Sequence, residues 1–265
     1  MNDSAIAPSE ILAAIHAGKS LAKFDLYRCN FSGAELAGAN LHGLNSIGAN
    51  FSGANLSGAD LSGADLRGVD LSDANLSGAN LEKAYLNRAQ LYNTNLTDAN
   101  LTGAKLQVAR YDDRTIWSAG FAYKSSGAIG PGAALNGAYL NTANLRHADL
   151  RGANLLGSYL SGADLTGANL QKARLSGATL QRAFLTGASL RNAGLNGVNL
   201  EGTDLRAADL TGVEMEHLAS IAGADFTQVQ GLSNEIRSSL LGRTAAELDV
   251  WNPFTRRTTR QSLTV

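Results

Sequence analysis

The feature that most constrains this chain is a spacing. A large apolar residue returns at every fifth position, through Leu26, Phe31, Leu36 and Leu41, then Phe51, Leu56 and onward to Leu106 and Tyr111, with a lapse at Ser46. The stretch GANFSGANLSGADLSGAD, beginning at Gly48, shows the unit plainly. This first array has eighteen positions, and a second, from Leu135 to Met215, has seventeen. Two residues before most of these centres stands Ala, as at Ala54, Ala59, Ala64, Ala143, Ala153 and Ala163.

A period of five fits neither an α-helix, with about 3.6 residues per turn, nor a strand, with roughly 2. On a helix these leucines would sweep around the whole circumference and leave no single face to bury. Two apolar positions with one polar residue between them instead make a short extended stretch with both side chains inward. Gly and Ser then allow a turn. Each unit becomes one side of a coil, and coils stack. Ala beside Leu is what a narrow interior requires, because one large side chain per unit fits only if its neighbour is small.

Composition bears on function mostly by exclusion. The formal net charge is -1 and charged residues make up 17% of the chain. That is no field for drawing in nucleic acid or an anionic membrane, so neither direct nucleic-acid binding nor membrane insertion is expected. No apolar run approaches the roughly 20 residues of a membrane span. The start, MNDSAIAPSEILAAIHAGKS, lacks the pattern of a secretory signal, and a cytoplasmic protein is expected. The single cysteine, Cys29, leaves no internal disulfide; at the inward small slot before Phe31 it reads as core filler.

The pattern A-(D/N)-L-x-x resembles the pentapeptide repeat family over residues 21–230. The resemblance implies an all-β solenoid: a right-handed quadrilateral parallel β-helix with four units per coil. Residues twenty apart then stack, so that Asn40, Asp60, Asn80 and Asn100 form one column and Asn55, Asn75 and Asn95 another. Stacked amides of this kind can hydrogen-bond along the axis. Short helices are expected as caps at both ends, because open strand edges need cover. Residues 1–20 hold the N-terminal candidate, PSEILAAIHAGK, with Ile11, Leu12 and Ile15 on one face. Residues 231–265 hold a helix from Ser233 to about Leu241, stopped at Gly242, and a tail. That tail is similar to the ends of some cyanobacterial and chloroplast-lumen members through Asn252, Pro253, Thr255, Thr259, Arg260, Ser262 and Leu263. The N-terminal EIL…GK likewise is similar to cyanobacterial caps.

Between the arrays (21–111 and 133–215) the register of centres shifts by one, and residues 112–132 break the pattern. They are expected to form an insertion loop bulging from one corner. Trp117 and Phe121 would be packed, and the run from Lys124 to Gly130 exposed. Thr115, Trp117, Gly120 and Phe121 match a loop core found in cyanobacterial members.

No residue pattern points to catalysis. The histidines His16, His42, His147 and His217 form no metal-binding pair. The Gly-rich GAIGPGA lacks the ending of a phosphate loop. A convex solenoid also offers no cleft in which carboxylates lose water. No cofactor, metal or catalytic residue is therefore expected. The expected function is a non-enzymatic scaffold that binds a protein partner, itself not named by the sequence, and stays monomeric or pairs weakly through an end cap. Tyr139 and Tyr159, twenty apart, should stack outward, and together with Lys124, Trp117 and Phe121 they are the candidate binding residues. The plainer reading is an ordinary surface pair. The alternative function is a DNA mimic acting on gyrase or topoisomerase, as some family members do. Eight acids against seven bases in the first array, and six against seven in the second, speak against it.

Overall fold

A computed structural model describes Ile11, Ala13, Ala14 and residues 26–264. The N-terminal cap therefore lies largely outside the described residues; Ile11, Ala13 and Ala14 are helical, and Ile11 is buried. The chain divides into two compact units, one ending at Ile129 and the next beginning at Gly130.

Each unit is a solenoid of parallel single-residue bridges whose partners lie twenty residues apart. In the first unit four columns run through Asn50, Asn55, Asp60 and Asp65 and their bridged partners; in the second, through Asn154, Tyr159, Asp164 and Asn169. Five residues satisfy themselves completely. In the unit 56–60, Leu56 N donates to Asn75 O at 2.7 Å, Gly58 N to Ser77 O at 2.8 Å and Asp60 N to Ala39 O at 2.9 Å, all across coils. Ala59 N closes the turn onto Leu56 O at 3.1 Å. The fifth donor, Ser57 N, is taken by the Asn55 side chain at 3.2 Å. Asn or Asp before the centre is thus a cap for the N–H two residues on, which no backbone carbonyl reaches. Gly58 has φ +63°, the left-handed turn position where glycine carries no steric cost. Asp73 takes the same place with φ +61°.

The interior is two residues deep. Leu centres and Ala neighbours along both arrays are almost wholly buried, with Phe31 stacked on Phe51 at 5.0 Å. Cys29 packs against this core but is only partly buried. Where Thr replaces Ala, its hydroxyl is satisfied by a carbonyl of the adjacent coil: Thr94 Oγ1 donates to Leu71 O at 2.8 Å and Thr203 Oγ1 to Leu180 O at 2.7 Å. The outward columns carry amide ladders. Asn80 Nδ2 donates to Asp60 Oδ1 and Asn100 Nδ2 to Asn80 Oδ1, each at 3.1 Å, and Asn95 Nδ2 donates to Asn75 Oδ1 at 3.2 Å.

Residues 112–132 differ from a bulging loop. Ile116 bridges Asn95, an offset of twenty-one, and Ile129 bridges Arg110, an offset of nineteen. One residue is added before Ile116 and two are dropped before Ile129, and the ladder passes through. Thr115 fills the small slot, its Oγ1 donating to Leu91 O at 2.6 Å as Thr94 and Thr203 do one coil step away from their acceptors. Tyr123–Ser125 form a single 3-10 turn. Lys124 and Ser125 are exposed, but Ala128, Ile129 and Gly130 are buried, so the exposed run is far shorter than Lys124 to Gly130. The cause is the ladder itself, which needs Ile129 in a column and Ala128 in the small slot.

The second unit ends under helices α1 (Asn234–Leu241), α2 (Ala245–Leu248) and α3 (Thr259–Leu263). Ser233 Oγ caps α1 by accepting from Ile236 N at 3.2 Å, and Thr258 with Gln261 makes a capping box on α3. The tail covers the open edge of the last coil. Ile221 N donates to Glu247 Oε1 and Ile221 O accepts from Thr259 Oγ1; Phe226 N donates to Ser262 Oγ. Asn252 is buried and acts as a clamp. Its Nδ2 faces Gly202 O, Thr203 O and Gly223 O at 3.2, 3.2 and 2.8 Å, and its Oδ1 accepts from Phe254 N and Thr255 N.

Candidate functional site

Parallel, in-register bridging forces identical outward residues on successive coils into contact. Tyr139 bridges Tyr159 in the second unit, and their rings stack with centroids 4.8 Å apart and planes 4° from parallel. Tyr139 is 81% exposed and Tyr159 43%. The next members of the column are Thr179 and Asn199, so the aromatic surface stops after two rings. Across the neighbouring turn stand Asn141, Thr142, Ser161 and Gly162, all small, with Asn141 Oδ1 accepting from Ser161 N at 2.9 Å. Nothing bulky shields the pair on that side.

Trp117 and Phe121, in the first unit, lie in a cluster rather than on a free surface. Trp117 stacks on Tyr123 at 5.0 Å and 5°, Phe121 lies 5.6 Å from Trp117, and Tyr111 meets Trp117 and Tyr123 edge-on. Lys124 is exposed, its Nζ 5.9 Å from the Tyr123 ring. Tyr123, the third aromatic of the segment, completes the packed set, although its distance from Trp117 follows no repeat. A second contact invisible to the repeat is Phe184, an outward residue in the second unit, against Phe254 of the tail at 4.5 Å.

Several carboxylates along the columns are compensated by arginines. Arg67 pairs with Asp65 at 2.6 Å and Arg206 with Asp204 at 2.8 Å, each two residues on. Arg146 pairs with Asp164 and Arg191 with Asp209, each at 3.1 Å across coils. The hydrogen bond from Arg67 holds the Asp65 carboxyl below its ordinary value despite some burial. At Asp204 burial pulls the carboxyl up, but the hydrogen bonds and charge of Arg206 outweigh it and hold the group low. Among the described residues no three His, Cys, Asp or Glu side chains are grouped to hold a metal ion. No helix among them is long and apolar enough to cross a membrane.

Comparison with known proteins places this geometry. A family model for pentapeptide repeats matches in eight copies, over residues 20–68, 70–107 and 132–230. No match is found among curated proteins. Among solved structures the chain is similar to HetL, a pentapeptide repeat protein involved in heterocyst differentiation regulation from the cyanobacterium Nostoc sp. strain PCC 7120. The two are 33% identical over 83% of this chain and 96% of HetL, with a TM-score of 0.31. It is also similar to alr5209, a pentapeptide repeat protein from Nostoc PCC 7120: 39% identity over 47% of this chain and 95% of that one, TM-score 0.40. A more distant likeness is to full-length QnrB1, a plasmid-mediated fluoroquinolone resistance protein, at 21% identity over 80% of this chain and 96% of that one, TM-score 0.29. The five-residue hydrogen-bond unit and the family-model match across both arrays converge on one conclusion: this chain belongs to the pentapeptide repeat family.

Proposed function

We propose that this chain is a right-handed, four-sided β-helix with helical caps at both ends, and that it acts as a non-enzymatic scaffold by docking a protein partner on its Tyr139–Tyr159 face. The observation that carries the reading is the stacked, exposed pair itself. Two parallel rings present a rigid amphipathic patch at little cost in side-chain entropy, which is the character of an interface anchor. Trp117 and Phe121 brace the segment that carries exposed Lys124, a smaller contact in the first unit.

The competing reading, a DNA mimic acting on gyrase or topoisomerase, requires a face of unpaired carboxylates. Asp65, Asp164, Asp204 and Asp209 each meet an arginine instead, which argues for protein docking. The test is capture from cyanobacterial lysate with the native chain and with a Tyr139→Ala/Tyr159→Ala chain as baits. Proteins retained by the native bait and lost with the variant support the reading. An identical retained set overturns it.

A further inference from the structure

The first unit carries a groove of about 690 Å³ along one corner. Tyr27 and Arg28 stand at one end, Gly48 and Gly68 line the middle beside Arg67, and Arg88 stands one coil step short of Gln107 and Val108 at the other end. Among the described residues no Asp or Glu lines it. The corner is one continuous stack: Arg28 N donates to Ile47 O, Gly48 N to Arg67 O, Gly68 N to Asn87 O and Arg88 N to Gln107 O, at 2.9 to 3.1 Å. A Cβ on Gly48 would lie 3.4 Å from Arg28 Cγ, so the Arg28 stem runs along Gly48. Its guanidinium sits 5.0 Å from the centre of the Tyr27 ring, a cation–π contact that restrains it. Arg67 is paired with Asp65, whereas Arg28 and Arg88 have no carboxylate within ion-pair distance among the described residues.

We infer that this groove binds an acidic, extended peptide segment of a partner protein. It lies in the first unit and does not depend on the tyrosine pair. From Arg28 to Arg88 is three coil steps, about 14 Å at roughly 4.8 Å per step. Side chains i and i+4 of an extended peptide lie about 13 Å apart on one face, at roughly 3.3 Å per residue. Two carboxylates at that spacing reach both unpaired guanidiniums, each guanidinium donating a bidentate pair of hydrogen bonds to one carboxylate. The glycines admit the peptide backbone where side chains would block it. A nucleic acid suits the groove less. Asp65 stands two residues before Arg67 and Asp70 two after Gly68, and a phosphate chain continuing past the groove would meet both.

The test uses the full chain and a fluorescein-labelled octapeptide alternating Glu and Ser, read by fluorescence polarisation at about 20 mM salt, where exposed charges are weakly screened. Saturable binding is expected, weakened at least tenfold in Arg28→Gly/Arg88→Gly. Glycine occupies the same turn place at Gly48 and Gly68, so this variant relieves a left-handed backbone rather than straining one. Tyr139→Ala/Tyr159→Ala should bind the peptide unchanged, which separates this inference from the docking face above. No saturable binding, equal binding by the double-glycine variant, or tighter binding of an eight-nucleotide oligothymidylate would each overturn it.

Discussion

Removing the Asn252 side chain should open one end of the second unit and little else. Asn252 Nδ2 has two hydrogens facing three carbonyls, of Gly202, Thr203 and Gly223, while Oδ1 accepts from Phe254 N at 2.8 Å and Thr255 N at 3.0 Å. At most four good hydrogen bonds are made at once. Each contributes about 1 kcal/mol net, and a buried group left without its partner costs about 1 to 3 kcal/mol. Asn252→Ala should therefore cost about 2 to 4 kcal/mol. Asn252→Asp should cost more, since it turns an oxygen toward three carbonyl oxygens. Solenoid coils contact only their neighbours, so the damage should stay near the end. Hydrogen exchange read by mass spectrometry locates it: faster exchange at Ile221 to Phe226 and in the tail from 249 to 264, with 140–190 unchanged. Unchanged exchange in the tail would refute the clamp. Acceleration spread evenly over the second unit would refute the local character of the coils.

Other expectations are shorter. Leu165 is wholly buried, and Leu165→Ala should lower stability by about 2 to 5 kcal/mol in urea unfolding; a loss under about 1 would mean the centres do not pack as described. Because Arg206 holds the buried Asp204 carboxyl below its unfolded value near 3.9, that contribution to stability is present above about pH 4 and fades as pH falls through the folded value. Arg206→Gln should cost about 1 to 3 kcal/mol at pH 7, and the gap from the native chain should shrink toward pH 3 in pH-dependent melts; a constant gap would show the pair is idle. In a DNA supercoiling assay micromolar protein should leave gyrase uninhibited, and clear inhibition would restore the DNA-mimic reading.

The repeat was legible because its period is also its physics. Leu56, Ala59 and Asn55 each have one slot to occupy, and a step of twenty makes any two like residues in a column neighbours, as with Asn75 and Asn95. What the sequence hid is aperiodic. Trp117 follows no five-residue spacing and so reads as loop. The available sign was Thr115, a hydroxyl in the small slot like Thr94 and Thr203. The tail residues from Asn252 to Leu263 follow no repeat, and their contacts reach back as far as fifty residues, to Gly202. The arginine groove disappears when charges are counted by array, because Arg28 and Arg88 gain meaning only three coil steps apart.

The offset of twenty between bridged residues also restricts how such a chain can change length. Deleting one unit after Asn80 would slide every later residue back by one column. Gln90 would follow Asp65 in place of Tyr85, and Asn95 would slide from Asn75 onto Asp70, exchanging an amide partner for a carboxylate. Deleting four units returns each residue to its own column with its donors and acceptors matched. Insertions and losses within either array should thus come in whole coils, like removing one course of bricks from a wall. Smaller adjustments belong at slips such as the one between Asn199 and Ser220, where a single extra residue is already absorbed in a turn.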